Sequence, residues 1–246
     1  LADKKDVLIK NIFSETDIFK IIDGDLKIKL EPEIQLESNF KTNLLFKDKF
    51  KTQIDFLKNF EFIKNISFFE AELNNSFTLK FDKTFKVKKY TFKSSGELSS
   101  VIFDINPKSK NNLFIKKINR VDIINSKIKT DINSKKNEIA ISGKYAIEKD
   151  NFLNFNLKTI FNNRTSKAEL KLDYDEEVNF EIINYFKKKG SKAIIEANLE
   201  KDKKGNIKIH ELNFSEKDNL ISLQNLNLKE NKFFSLDKLS IKTKKE

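Results

Sequence analysis

The chain's 246 residues can bury a substantial core, and 46 Lys, 30 Ile, 28 Asn and 24 Phe fill more than half of them. Cys is absent and His210 is the one histidine, which removes disulfides, thiolate nucleophiles and Cys- or His-cluster metal sites; no metal or cofactor is expected. The net charge of +11 rests on Lys with only Arg120 and Arg164 beside it. So little guanidinium argues against a nucleic-acid partner.

Lys, Asn, Ile and Phe share A/T-rich codons, so base bias accounts for the lysine excess and a solvated surface is expected. No apolar run approaches the roughly 18 residues of a membrane-spanning helix, and no signal-peptide core precedes Asp3. The start at Leu1 without any Met predicts a piece of a longer or processed protein.

In chain order, Leu26, Ile28, Leu30, Ile34 and Leu36 alternate through Pro32, which cannot donate a ladder hydrogen bond and so marks an edge or a bend. Phe50, Ile54, Leu57 and Phe60 outline an amphipathic helix around residues 50–64. Phe77 to Phe81, Phe85 to Val87 and Tyr90 to Phe92 read as strands before a turn at Ser94–Gly96, and Val101, Phe103 and Ile105 as another. A polar stretch at residues 106–112 is the one soft boundary in an otherwise single segment spanning 1–246.

The second half is more regular. Turn-like clusters recur at Asn133–Asn137, Glu148–Asn151, Asn162–Thr165, Tyr174–Glu177, Lys187–Ser191, Lys201–Asn206, Glu216–Asn219 and Glu230–Lys232. Between them apolar residues fall on one parity: Ile139, Ile141, Tyr145 and Ile147; Leu153, Phe155 and Leu157; Leu170 and Leu172; Val178, Phe180 and Ile182; Ile195 and Leu199. Such alternation predicts eight successive half-buried antiparallel strands. Parity changes after Ile209 and after Leu223, which predicts bulges near Glu211 and Asn225.

An apolar sheet face of this size must be covered. With at most one or two short helices, a helical layer is unavailable, and about 13 to 15 strands are too many for a small closed barrel. Mid-strand Phe103, Phe155 and Phe180 do not form the girdles of a membrane barrel. The expected fold is all-β: a long antiparallel meander curled into an elongated open groove with an apolar concave face.

The stretch FTLKFDKTFKVKKYTFKSSG from Phe77 to Gly96, the segment ISGKYAI at Ile141–Ile147 and the run from Ile183 to Thr243 resemble AsmA-like proteins. The nearest flavour is the branch carrying the domain of unknown function 3971, in an A/T-rich alphaproteobacterium. The resemblance covers about residues 70–246 and involves no catalytic signature. It implies a periplasmic β-groove in the bacterial cell envelope, held at the inner membrane by an anchor outside this chain. Further segments of the same protein would stack on the sheet ends. The implied partner is phospholipid, passed between membranes, and no enzymatic activity is implied. Acyl chains would lie along Ile139, Ile141, Tyr145, Leu153, Phe155, Leu157, Leu170, Leu172, Phe180, Ile182, Ile195 and Leu199. The alternative is a structural or adhesive β-sandwich or barrel domain that binds an anionic partner through its lysines. His210, on the polar parity, reads as a solvated surface residue, and the acidic pairs Asp23/Asp25 and Asp173/Asp175 as turn residues.

Overall fold

A computed structural model describes residues 6–47, 65–105, 118–149, 151–162, 164–180, 183–230 and 232–244. The expected helix at 50–64 and the soft boundary at 106–112 lie outside these residues. The described residues contain no α-helix. The strands are β1 (Asp6–Ile9), β2 (Ser14–Glu15), β3 (Phe19–Lys29), β4 (Gln35–Lys47), β5 (Ile66–Phe81), β6 (Val87–Asp104), β7 (Arg120–Asn133) and β8 (Asn137–Ile147). They continue as β9 (Leu153–Phe161), β10 (Thr165–Tyr174), β11 (Val178–Phe180), β12 (Tyr185–Lys187) and β13 (Ala193–Asp202). The last four are β14 (Ile207–Glu216), β15 (Asn219–Lys229), β16 (Lys232–Ser235) and β17 (Lys238–Lys242).

The fold is an all-β antiparallel meander. Its hydrogen-bonding order is β1-β3-β4-β5-β6-β7-β8-β9-β10-β13-β14-β15-β16, with β2 on β3 and β17 on β15. The order never returns to β1, so the sheet is not closed into a barrel. Chain order and spatial order coincide because most connections are tight turns. Contacts cluster into two units, the first Leu1–Asp104 with Asp122–Ile141 and the second Ile105–Val121 with Ser142–Glu246.

In the first unit the core gathers at one end of β4–β6, where Phe46, Ile66, Ala71, Leu98 and Val101 are buried and Leu44, Phe69 and Ile141 pack on them. The same face turns polar along the strands. Ser38, Thr42, Asn75, Ser94 and Ser126 are all buried on it. Asn75 Nδ2 donates to Thr42 Oγ1 at 2.9 Å and to Leu73 O at 3.2 Å, and Ser126 Oγ donates to Ile124 O at 2.9 Å. These bonds offset the desolvation of Thr42, Asn75 and Ser126.

Three expectations need correcting here: Phe85 to Val87 is no strand of its own, because Phe85 sits in the β5–β6 turn with φ 61° and Val87 joins Tyr90–Phe92 in β6. Ser94–Gly96 is not a turn but lies within β6, where Gly96 faces Leu73 of β5. A Cβ on Gly96 would sit 1.9 Å from Glu72 O, so glycine serves a close approach of two backbones. Val101 to Phe103 therefore continues β6 rather than forming a new strand. Pro32 does mark a bend, falling between β3 and β4.

In the second unit the observed strand limits follow the turn clusters closely. The exception is Val178–Phe180, which pairs with Tyr185–Lys187 as a separate two-stranded sheet while β10 pairs directly with β13. The chain thus has a hairpin folded out of the main sheet, not eight strands in series. The bulge expected near Glu211 lies where parity demands, whereas on β15 the register shifts between Asn227 and Leu228, past the expected Asn225. Asn198 pairs with Glu211 but Leu199 with Ile209, leaving His210 as the extra residue. On β15, Asn225 adopts a φ of 52°, a left-handed conformation that asparagine tolerates better than most residues.

Candidate functional site

The second unit carries apolar rows that run across its strands. One passes from Leu157 through Leu170, Ala197, Leu212 and Leu223 to Leu239. The next passes from Phe155 through Leu172, Ile195, Phe214 and Ile221 to Ile241. Each cross-strand pair adds a few tenths to about 1 kcal/mol, and the bulge at His210 keeps Leu199, Ile209 and Leu226 on the same face as Leu212 and Leu223. A one-residue slip without it would turn half of β14 to the polar side.

Of the residues expected to line an acyl-chain lane, Leu153, Leu157, Leu170, Leu172, Ile195 and Leu199 are half-buried on this face. Phe155 and Tyr145 are buried. Their rings meet edge-on at 6.0 Å, and the Tyr145 hydroxyl donates to Asp173 O at 2.5 Å. Burial pushes the Tyr145 hydroxyl well above the usual tyrosine range. Ile139 and Ile141 belong to the first unit, where Ile141 packs on its core. Phe180 is half-buried in the hairpin, and Ile182 lies outside the described residues.

That hairpin caps one end of the apolar face. Phe180 and Tyr185 pack on Phe214, with ring centroids at 5.6 and 5.9 Å. Beneath them sits Lys187, which is 1% exposed. Its ammonium donates to Glu176 O at 2.8 Å and lies 5.6 Å from the Tyr174 ring centroid. Burial pushes it below the usual lysine range, an effect that Glu216 and the acids at 175–177 oppose. Glu216 accepts hydrogen bonds from Tyr185 Oη and Ser191 Oγ. Burial acts to raise its pKa, but these two bonds and the Lys187 charge hold it below the usual carboxylate range.

Sequence reasoning missed this cap, because Lys187 reads as part of a turn run. Length gave no signal, because residues 178–186 between the two turn clusters match the other strands, and the two three-residue strands appear only in the fold.

The opposite face of the second unit is polar and its charges alternate across strands, with Lys171–Glu196 at 2.7 Å and Lys167–Glu200 at 3.5 Å. His210 lies exposed there, 3.3 Å from Glu200. In the first unit a trough of about 650 Å³ lies over β3–β7, lined mainly by polar side chains including Asp23, Asp25, Lys41, Lys93, Lys129 and Asp131. Among the described residues no group of three His, Asp or Glu stands close enough to hold a metal ion.

No protein-family model matches the chain, and no curated protein or solved structure shows significant similarity to it. Among the described residues no helix is long and apolar enough to cross a membrane.

Proposed function

We propose that this chain is a non-catalytic segment of a bacterial envelope protein whose apolar β-face shields phospholipid acyl chains in transit between membranes. The observation that carries the reading is the pair of apolar rows crossing six strands of the second unit, in which Leu157, Leu170, Leu172 and Ile195 stay half-buried although Phe155, Ala197, Phe214 and Ile221 are buried beside them. A dry sandwich core would bury such residues fully. At about 0.8 kcal/mol per buried CH₂, a row-like apolar surface can hold a chain while letting it slide, since each step trades one contact for an equal one. The residues we assign to contact with lipid are Leu153, Leu157, Leu170, Leu172, Ile195 and Leu199. Tyr145 and Phe155 form the floor of that surface.

Resemblance to AsmA-like proteins supports the same reading and adds its setting: the periplasm, an inner-membrane anchor elsewhere in the polypeptide, and neighbouring segments that extend the sheet. The alternative, a structural or adhesive β-domain, draws on the capped end, where Phe180, Tyr185 and Phe214 already form a closed cluster.

The test is native mass spectrometry of the purified chain with solvent extraction of what co-purifies. We expect at least one phospholipid per chain, lost in the double variant L157D/L170D with the strand signal in circular dichroism retained. A lipid-free, monodisperse protein that binds no hydrophobic dye would overturn the lipid reading in favour of the structural one.

A further inference from the structure

We propose that the hairpin tips at the uncapped end of the second unit form a docking surface for an anionic lipid bilayer. The inference stands apart from whether the apolar face carries lipid. Three tips neighbour one another in the strand order: β9–β10, β13–β14 and β15–β16. Their centres are two strands apart, or about 10 Å.

The turns aim their cations outward. Asn162 Oδ1 accepts the backbone N–H of Arg164 at 2.7 Å and of Thr165 at 2.9 Å. Asp202 Oδ1 does the same for Lys204 at 2.8 Å and Asn206 at 2.9 Å. Each capping side chain is thus turned onto its own backbone. Arg164, Lys203 and Lys204 stay exposed at the tips. At the third tip Lys229 and Lys232 precede Phe233 and Phe234, which are 68% and 58% exposed. Lys229 Nζ sits 3.4 Å from the Phe234 ring centroid.

Along the strands and at the capped end of this unit, several lysines are matched with acids. Lys167, Lys171, Lys189 and Lys192 pair with Glu200, Glu196, Glu176 and Asp173. The five tip cations make no ion pair among the described residues, and only Asp202 and Glu230 offset them there. Unpaired cations beside exposed phenyl rings fit a phosphate-rich interface, where the rings enter the acyl boundary and the ammonium groups remain among headgroups. With Arg164 as the only guanidinium at these tips, bidentate recognition of nucleic acid is poorly served.

The experiment is co-sedimentation of the whole chain with vesicles of phosphatidylcholine, alone or with about three parts in ten phosphatidylglycerol. We expect binding to the anionic vesicles only, weakening as salt shortens the screening length. At about fivefold per surface lysine, K203E/K204E should weaken binding at least tenfold. F233S/F234S should weaken it as well, with circular dichroism unchanged in both variants. L157D/L170D should keep it, so that failure of docking and failure of the lipid lane are read separately. Equal binding to neutral vesicles, undiminished binding by either tip variant, or preference for a single-stranded oligonucleotide over anionic vesicles would overturn the proposal.

Discussion

Lys187 shows how far one side chain's environment can depart from its sequence neighbourhood. It sits among Phe186, Lys188 and Lys189, all exposed, yet its own stem fills the space between the hairpin and Tyr174. Its removal leaves a void and strips Glu176 O of its donor. K187A should therefore lose about 3 kcal/mol in urea unfolding, and K187M, which keeps the stem, should lose clearly less. Equal losses would place the whole effect in the ammonium. Glu216 gives a pH signature at the same spot. Its folded pKa is depressed below the ordinary 4.5, so its contribution is present above that value and fades as pH falls through the lower folded value. The acid limb of the stability profile should flatten in E216Q. Tyr145, Tyr174 and Tyr185 act with the opposite sign, because burial raises each above 10.0. Their contribution holds at neutral pH and is lost as the unfolded tyrosines ionise above that value.

At the scale of strands, glycine separates two kinds of constraint. Gly96 sits against the Glu72 backbone with no room for a Cβ, whereas Gly205 occupies a turn with φ of +84° and open space around it. G96A must push β5 and β6 apart and should cost about 3 kcal/mol. G205A meets only backbone strain and should cost about 1 kcal/mol. Thermal unfolding of the two variants decides this, and a milder G96A would mean that the β5–β6 ladder opens locally at little cost. Gly96 also shows where the sequence misleads. Ser94-Ser95-Gly96 has turn composition, and only the tertiary approach of Glu72 reveals a strand. Alternation, by contrast, was reliable wherever one face was apolar throughout. It located β8, β9, β10 and β13–β15 and the bulge at His210, because a parity error there would expose whole rows. It failed for Val178–Phe180, since a short alternating segment looks the same whether it joins a sheet or folds over one. It also passed over the buried Thr42, Asn75 and Ser94, although they share the apolar parity of Leu44, Leu73 and Phe92.

For the molecule as a whole, the decisive feature is that the sheet has two ends. A barrel would pair its first strand with its last, but here β1 presents exposed Val7, Leu8 and Ile9 at one edge, and β17 presents Leu239 and Ile241 at the other. Soluble sheets usually blunt such edges with charge, proline or a covering loop. Here the two apolar rows of the second unit run on to Leu239 and Ile241 without interruption. Beyond them lie the unpaired backbone groups of an edge strand, which can accept a further strand in register. We expect that another strand, from a neighbouring segment of the polypeptide or from a second copy, extends this edge and prolongs the rows. Isolated, the chain should then self-associate with rising concentration, and sedimentation velocity should show the shift. L239K/I241K, which places lysine at the end of each row, should hold the protein monomeric with its circular dichroism unchanged. The lipid content of that variant carries a second result. Retained lipid would place the acyl chains on the inner strands around Leu157 and Leu170, while loss of both lipid and association would make the edge itself the point at which the lane is completed.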